Sequence, residues 1–195
     1  MVVASRRAEA LAAAFRAENE ALLALVTGMD EHDWTADCPQ EGRSVRVVVG
    51  HIAEGHLIIG EIVRAIATGR PLPVQAYRTV EQGAAVNARQ ARRLAARSRD
   101  DTLRTLRANT ERTARFVDRL SDEDLRREIV GFPGLTLVDE IERGLIGHLT
   151  VHARAVRLAL IEGRASMAAI SSVSFGRLPS GITRCGPSRS AQSTD

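Results

Sequence analysis

Four long stretches of this chain carry apolar side chains at alternating steps of three and four, and no segment alternates convincingly with period two. That pattern confines it to helices packed on helices. The first stretch runs from about residue 4 to 27, with Leu11, Phe15, Leu22, Leu25 and Val26 at helical spacing and Gly28 as its stop. A polar linker, MDEHDWTADCPQEGR, follows. The second helix starts at Ser44, a good N-cap, and runs through Val48, Ile52, Ile59, Ile62 and Ile66 to about Thr68, where GRPLP closes it. The third pattern, from about 79 to 120, breaks near RSRDDT, where Ser98 and Asp101 have the spacing of a fresh capping box. Ser121 and Asp124 repeat that signature for a short turn. Thr136 and Asp139 repeat it again for a last helix that should reach Glu162 and stop at Gly163. Aromatic residues make up only 3% of the chain, so the core is built from Leu, Val, Ile and Ala. The expected fold is all-α, an antiparallel four-helix bundle with short connections.

The composition changes after Gly163. Residues 164–195 hold eight serines where residues 1–163 hold four, and no amphipathic period survives. The chain therefore reads as a bundle over 1–163 and a disordered tail over 164–195. The tail also carries the whole net charge of +3, because the body is balanced. Every one of the 27 basic residues is Arg, so the run NARQARRLAARSR reads as a solvated helix face, and nucleic acid is not expected as a partner. No run approaches a membrane span, the N-terminus lacks a signal-peptide core, and Cys38 and Cys185 form no motif. A cytoplasmic protein with no membrane partner is expected.

The last helix contains LIGHLTVHARAV. At 100° per residue His148 and His152 share a face with Ile141, Leu145, Ala155 and Ala159, where core side chains belong. His51 points inward from the second helix. His56, about 140° further round, cannot easily converge with it, and His32 lies in the linker. Helices two and four lie diagonally across an up-down bundle, so His51, His148 and His152 can meet. Three neutral imidazoles suit a divalent metal, Zn, Ni, Cu or Fe, and leave a coordination position open. The competing reading is a set of neutral histidines filling the core. Glu54, one turn from His51, reads as a helix-surface carboxylate, with orientation of a ligand as the alternative. Trp34 reads as packing the linker over the bundle end, and Cys38 as a bystander thiol.

The segment GRSVRVVVGHIAEGH, with Trp34, Pro39, Gly42, Ser44, Val45, Arg46 and His51 in register, resembles the DinB/YfiT-like superfamily. The nearest branch contains the N-terminal domain of mycothiol-dependent maleylpyruvate isomerase, and GHLTVHARAVR resembles the last-helix motif of that family. The resemblance covers about residues 5–162 and carries the family's metal triad onto His51, His148 and His152. In the mycothiol branch the middle ligand can be Glu; here it is His148. Arg43 and Val47 depart from the family's Trp and Asp, and the second departure removes half a capping box from helix two. The resemblance implies a metal-dependent transferase or isomerase using a low-molecular-weight thiol such as mycothiol against an electrophilic substrate. It also implies a thiol pocket to which Asn87 contributes. The tail is too short and polar to supply the isomerase's second domain. The alternative is a non-catalytic DinB-like metal-binding or stress-response module. Ala- and Val-rich helices pack closely, and a homodimer is expected.

Overall fold

Ser5 stands in extended backbone with its hydroxyl accepting the Arg7 N–H at 3.1 Å, and α1 (Arg6–Thr27) begins on that cap. The computed structural model describes residues 4–72 and 80–173. The linker after α1 is more ordered than its polarity suggests. It holds a short helix, α2 (Glu31–Thr35), capped by the Asp30 carboxylate on the Asp33 N–H at 2.8 Å. A two-residue hairpin follows, β1 (Asp37–Cys38) against β2 (Arg43–Ser44), antiparallel, with Gly42 at φ 62° in its turn. Two-residue strands are too short to show alternation, which is why none was expected. Trp34 is buried beneath this linker, with the Arg99 guanidinium 5.4 Å from its ring centroid.

The helix α3 (Val45–Thr68) starts where expected, but by other means. Ser44 makes no side-chain cap bond, and the Val45 N–H donates instead to Ala36 O at 2.9 Å. A backbone bond to the linker thus anchors the first turn, although the Ser44 N–H has no acid at Val47 to accept it. At the other end Gly69 turns left-handed at φ 67°, and Arg70 N–H closes on Ala65 O at 2.9 Å. The third pattern is two helices, α4 (Val80–Ala95) and α5 (Arg99–Val117), broken at Ser98. Ser98 accepts the Asp101 N–H, but Asp101 pairs with Arg104, so only half of the expected box forms. The box at Ser121 and Asp124 is complete and opens α6 (Asp122–Leu125).

Thr136 and Asp139 also form their box, at the head of α7 (Leu137–Asp139). The last helix then departs from the expected continuous α-helix. Residues Glu140–Gly147 are π-helical, and α8 (His148–Val173) begins only at the first histidine. A wider turn leaves the apolar spacing intact, so periodicity does not betray it; Gly144 and Gly147 lie within it. Nor does α8 stop at Gly163. A helical glycine costs about 1 kcal/mol relative to Ala, which weakens a helix without ending one, and no Pro follows to do so. Residues 174–195, most of the expected tail, lie outside the described residues, as does Cys185.

The all-α fold is organised around α3. Glycines at 50, 55 and 60 are five residues apart, so they face directions about 140° apart. Each receives a side chain from a different element. A Cβ at Gly50 would meet Leu94 of α4 at 2.9 Å, one at Gly55 would meet His148 at 2.6 Å, and one at Gly60 would meet Thr113 of α5 at 2.5 Å. Around these sockets Phe15, Leu22, Ile52, Leu106, Leu137, Ile141, Leu145 and Leu149 form one continuous core.

His56 belongs to that core. Asn19 Nδ2 donates to Phe15 O at 2.8 Å, and the Thr110 hydroxyl donates to Asn19 Oδ1 at 3.0 Å. A hydroxyl has one proton, so Thr110 accepts from His56 Nδ1 at 3.3 Å, leaving a buried lone pair on His56 Nε2. Burial, with the nearby His148 adding to it, pushes the His56 pKa down to about 3. The unfolded chain takes up this proton near the ordinary histidine pKa and the folded chain refuses it. Stability is thus full above about pH 6.5 and falls as pH drops toward the folded value. Thermal melts across pH 7 to 4 should show that decline. In His56→Gln the slope should be shallower by about 1.4 kcal/mol per pH unit, the value of one proton.

Candidate metal centre

Three histidines from two helices come together beside the hairpin. His51 projects from the second turn of α3, and His148 and His152 from the first two turns of α8. One nitrogen from each lies within 4.8 Å of the others. Ring centroids are 4.5 Å apart for His148 and His152, 4.9 Å for His51 and His152, and 5.1 Å for His51 and His148. All three are half-buried rather than enclosed. The expected meeting in mid-core is displaced toward the start of both helices, where the hairpin turn and α4 form the walls.

The partners of the outer nitrogens fix two tautomers. His152 Nδ1 lies 2.6 Å from Glu41 Oε1, and a carboxylate can only accept, so Nδ1 carries the proton. His51 Nδ1 lies 3.0 Å from Gln90 Oε1, while Gln90 Nε2 donates to Glu54 Oε2 at 3.0 Å. Glu54 must be the acceptor there. Burial alone would raise its pKa, but hydrogen bonds from Arg93 and Gln90, and the charges of Arg93 and Arg97, outweigh that and hold it low. The Gln90 amide is therefore oriented, its oxygen faces His51, and His51 Nδ1 is the protonated nitrogen. Both Nε2 lone pairs are left for the centre of the cluster.

The third imidazole is held by shape. His148 fits where Gly55 has no side chain, and its Nε2 lies 3.2 Å from His51 Nε2. Its Nδ1 is buried with no hydrogen-bond partner among the described residues. Burial, then the nearness of His152 and His51, pushes the His148 pKa down to about 4, and burial also lowers that of His51. At neutral pH both rings stay uncharged and keep a lone pair. Two imidazole nitrogens facing at hydrogen-bond distance, an orphaned buried nitrogen and acceptor-fixed tautomers are together the donor chemistry of a nitrogen-ligated divalent cation. His51, His148 and His152 could hold one.

Other candidates fall elsewhere. His56 faces the core on the far side of α3, with its ring edge-on to Phe15 at 4.9 Å, and His32 is exposed on α2 rather than in a loop. Asn87 is exposed on α4, one turn before Gln90, and it is Gln90 that reaches the cluster. Glu54 is not a free surface carboxylate: Arg93 holds it at 2.5 and 2.7 Å and Arg97 at 3.1 Å. Cys38 is a buried free thiol, and burial and the nearby Glu41 raise its pKa. Glu140 lies against Gly144 in the π-helical turn, and burial raises its pKa. Glu41, Gln90 and Gly55 were not read from sequence as parts of the site. Only Gly55, a glycine inside an otherwise strong helix, carried a usable signal.

A family model, the mycothiol maleylpyruvate isomerase N-terminal domain, matches residues 15–152, a span that includes all three histidines. No curated protein and no solved structure matches the chain.

The Gly55 socket makes the cluster testable without touching a histidine. Gly55→Ala gains up to about 1 kcal/mol of helix propensity, so α3 itself should not weaken. Its new methyl must push the His148 ring aside. Competition titration against a chelator should show Zn2+ affinity falling about 10–100-fold, the usual scale for disturbing a ligand's support, with the far-UV spectrum unchanged. Unaltered affinity would mean that His148 does not ligate.

Proposed function

Because the chain belongs to the mycothiol maleylpyruvate isomerase N-terminal domain family, we propose that it is a metal-dependent transferase or isomerase that works with a low-molecular-weight thiol, mycothiol or a close analogue. The observation that carries this reading is the cluster of His51, His148 and His152, two of them with outer nitrogens already committed to acceptors. We read α1, α3, α5 and α8 as an antiparallel four-helix bundle, with the cluster at one end. Zn or Ni is the expected ion.

When bound, the cation lowers the pKa of a thiol and holds it as the thiolate, the nucleophilic form. The protein's own residues do the rest. Glu41 accepts from His152 and Gln90 from His51, so both rings are turned and tautomerised before any ligand arrives. Gly55 leaves the space in which His148 sits. Cys38 is buried and is not the nucleophile. We assign Asn87, exposed on the Gln90 side of α4, to the polar part of a thiol that extends out of the cluster.

Elemental analysis of the purified protein should find one divalent ion per chain. Added Zn2+ should raise the melting temperature of the wild type, because an ion that binds only the folded state stabilises it by mass action. That rise should disappear in His51→Ala, His148→Ala and His152→Ala. A wild type that takes up no ion and melts identically with and without chelator would leave only a histidine-filled core. Mycothiol-dependent transfer to an electrophile, lost with the ion, supports the enzyme; stoichiometric metal without transfer points to the binding module.

A further inference from the structure

The helix α4 is attached to the body in an unusual way. Among its described side chains only Leu94 is fully buried, seated in the Gly50 socket, and Val86, Asn87 and Arg89 are exposed. It packs chiefly against α3. A helix of 16 residues is marginal in water without tertiary support. Much of that support is polar and converges on two side chains of α3: Glu54, which takes Arg93, Arg97 and Gln90, and His51, which takes Gln90.

We infer that Gln90 is a positioning residue that couples ion binding at His51 to the docking of α4, so that filling the cluster fastens this helix and loosening the helix weakens the site. The inference rests on the metal reading above. The coupling follows from proton bookkeeping. With no ion, His51 Nε2 and His148 Nε2 share one hydrogen bond at 3.2 Å; in the network described above His148 supplies its proton, and the minor tautomer in which His51 supplies it stays within reach. If His51 supplies it, its Nδ1 becomes a lone pair facing Gln90 Oε1. Two acceptors then oppose each other. Gln90 must turn its amide, which places its oxygen against the Glu54 carboxylate and breaks that bond as well. An ion on Nε2 forbids this tautomer. It leaves the proton on Nδ1, the one state in which the chain from His51 through Gln90 to Glu54 and the two arginines is satisfied throughout. By linkage the effect is reciprocal: whatever binding contributes to docking, docking contributes to binding.

Hydrogen exchange of the full chain, with chelator or with Zn2+ alone, reads the docking directly. Zn2+ should slow exchange across residues 80–95 of the wild type. Gln90→Met keeps the volume and removes the acceptor; Zn2+ should then bind about 10–100-fold more weakly and leave α4 exchange unchanged. Gln90→Glu restores an acceptor for His51 but sets a second carboxylate against Glu54, so it should bind Zn2+ more tightly than Gln90→Met yet slow α4 exchange less than the wild type does, a split that a merely structural role would not produce. Zn2+ bound stoichiometrically by the wild type with no change in α4 exchange overturns the coupling and leaves the metal reading standing. So does a Gln90→Met variant that binds Zn2+ as tightly as the wild type. A wild type that binds no Zn2+ removes both.

Discussion

The rest of this structure depends on how closely other elements can approach α3. A helix carrying side chains at every position would hold its neighbours about 8–10 Å away, axis to axis. Gly50, Gly55 and Gly60 remove the side chain in three directions, and Leu94, His148 and Thr113 fill the spaces. Each glycine costs the isolated helix about 0.5–1 kcal/mol relative to Ala. Close contact compensates. Asn109 Nδ2 reaches Ala53 O at 2.8 Å and Thr113 Oγ1 reaches His56 O at 3.0 Å, so α5 bonds directly to the backbone of α3.

The same device positions chemistry. Among the described residues His148 has no hydrogen bond at its outer nitrogen and depends on the Gly55 socket for its orientation, whereas His51 and His152 depend on acceptors. Those acceptors differ. Glu41 offers a negative charge from a hairpin turn, and Gln90 offers a neutral amide from α4, itself oriented by a carboxylate that two arginines neutralise. A charged acceptor makes its imidazole the better donor of electrons to a cation, and a neutral one leaves it less so. Three chemically identical ligands thus become three different ones through what lies behind them. His56 shows the contrasting fate of a buried imidazole, tied to Thr110 and facing only the core.

Much of this was legible in the chain. Apolar periodicity located α1, α3 and the last helix, and the serine and threonine signals at 44, 98, 121 and 136 mark real helix starts, because both act over a single turn. The i, i+4 spacing of His148 and His152 places them side by side for the same reason, and the 140° step correctly sends His56 away from His51. The π-helical turn was not legible, since eight residues with a wider turn keep the same apolar spacing. The Ser98 box was over-read, because Arg104 competes for the Asp101 carboxylate and nothing in the box signature records that.

What the sequence by itself determined is whatever neighbours along the chain decide: the helices, their caps, the apolar faces and which histidines point the same way. What only the tertiary structure decided is every partner that lies far off in sequence. Gln90 is 39 residues from His51 and Glu41 is 111 from His152. Neither pairing has a periodicity to announce it, because a hydrogen bond between side chains is set by where two backbones cross and not by what precedes either residue. Those crossings are fixed by packing into the glycine sockets of α3. Helix spacing can therefore name the three imidazoles, but only packing decides which nitrogen of each faces the centre.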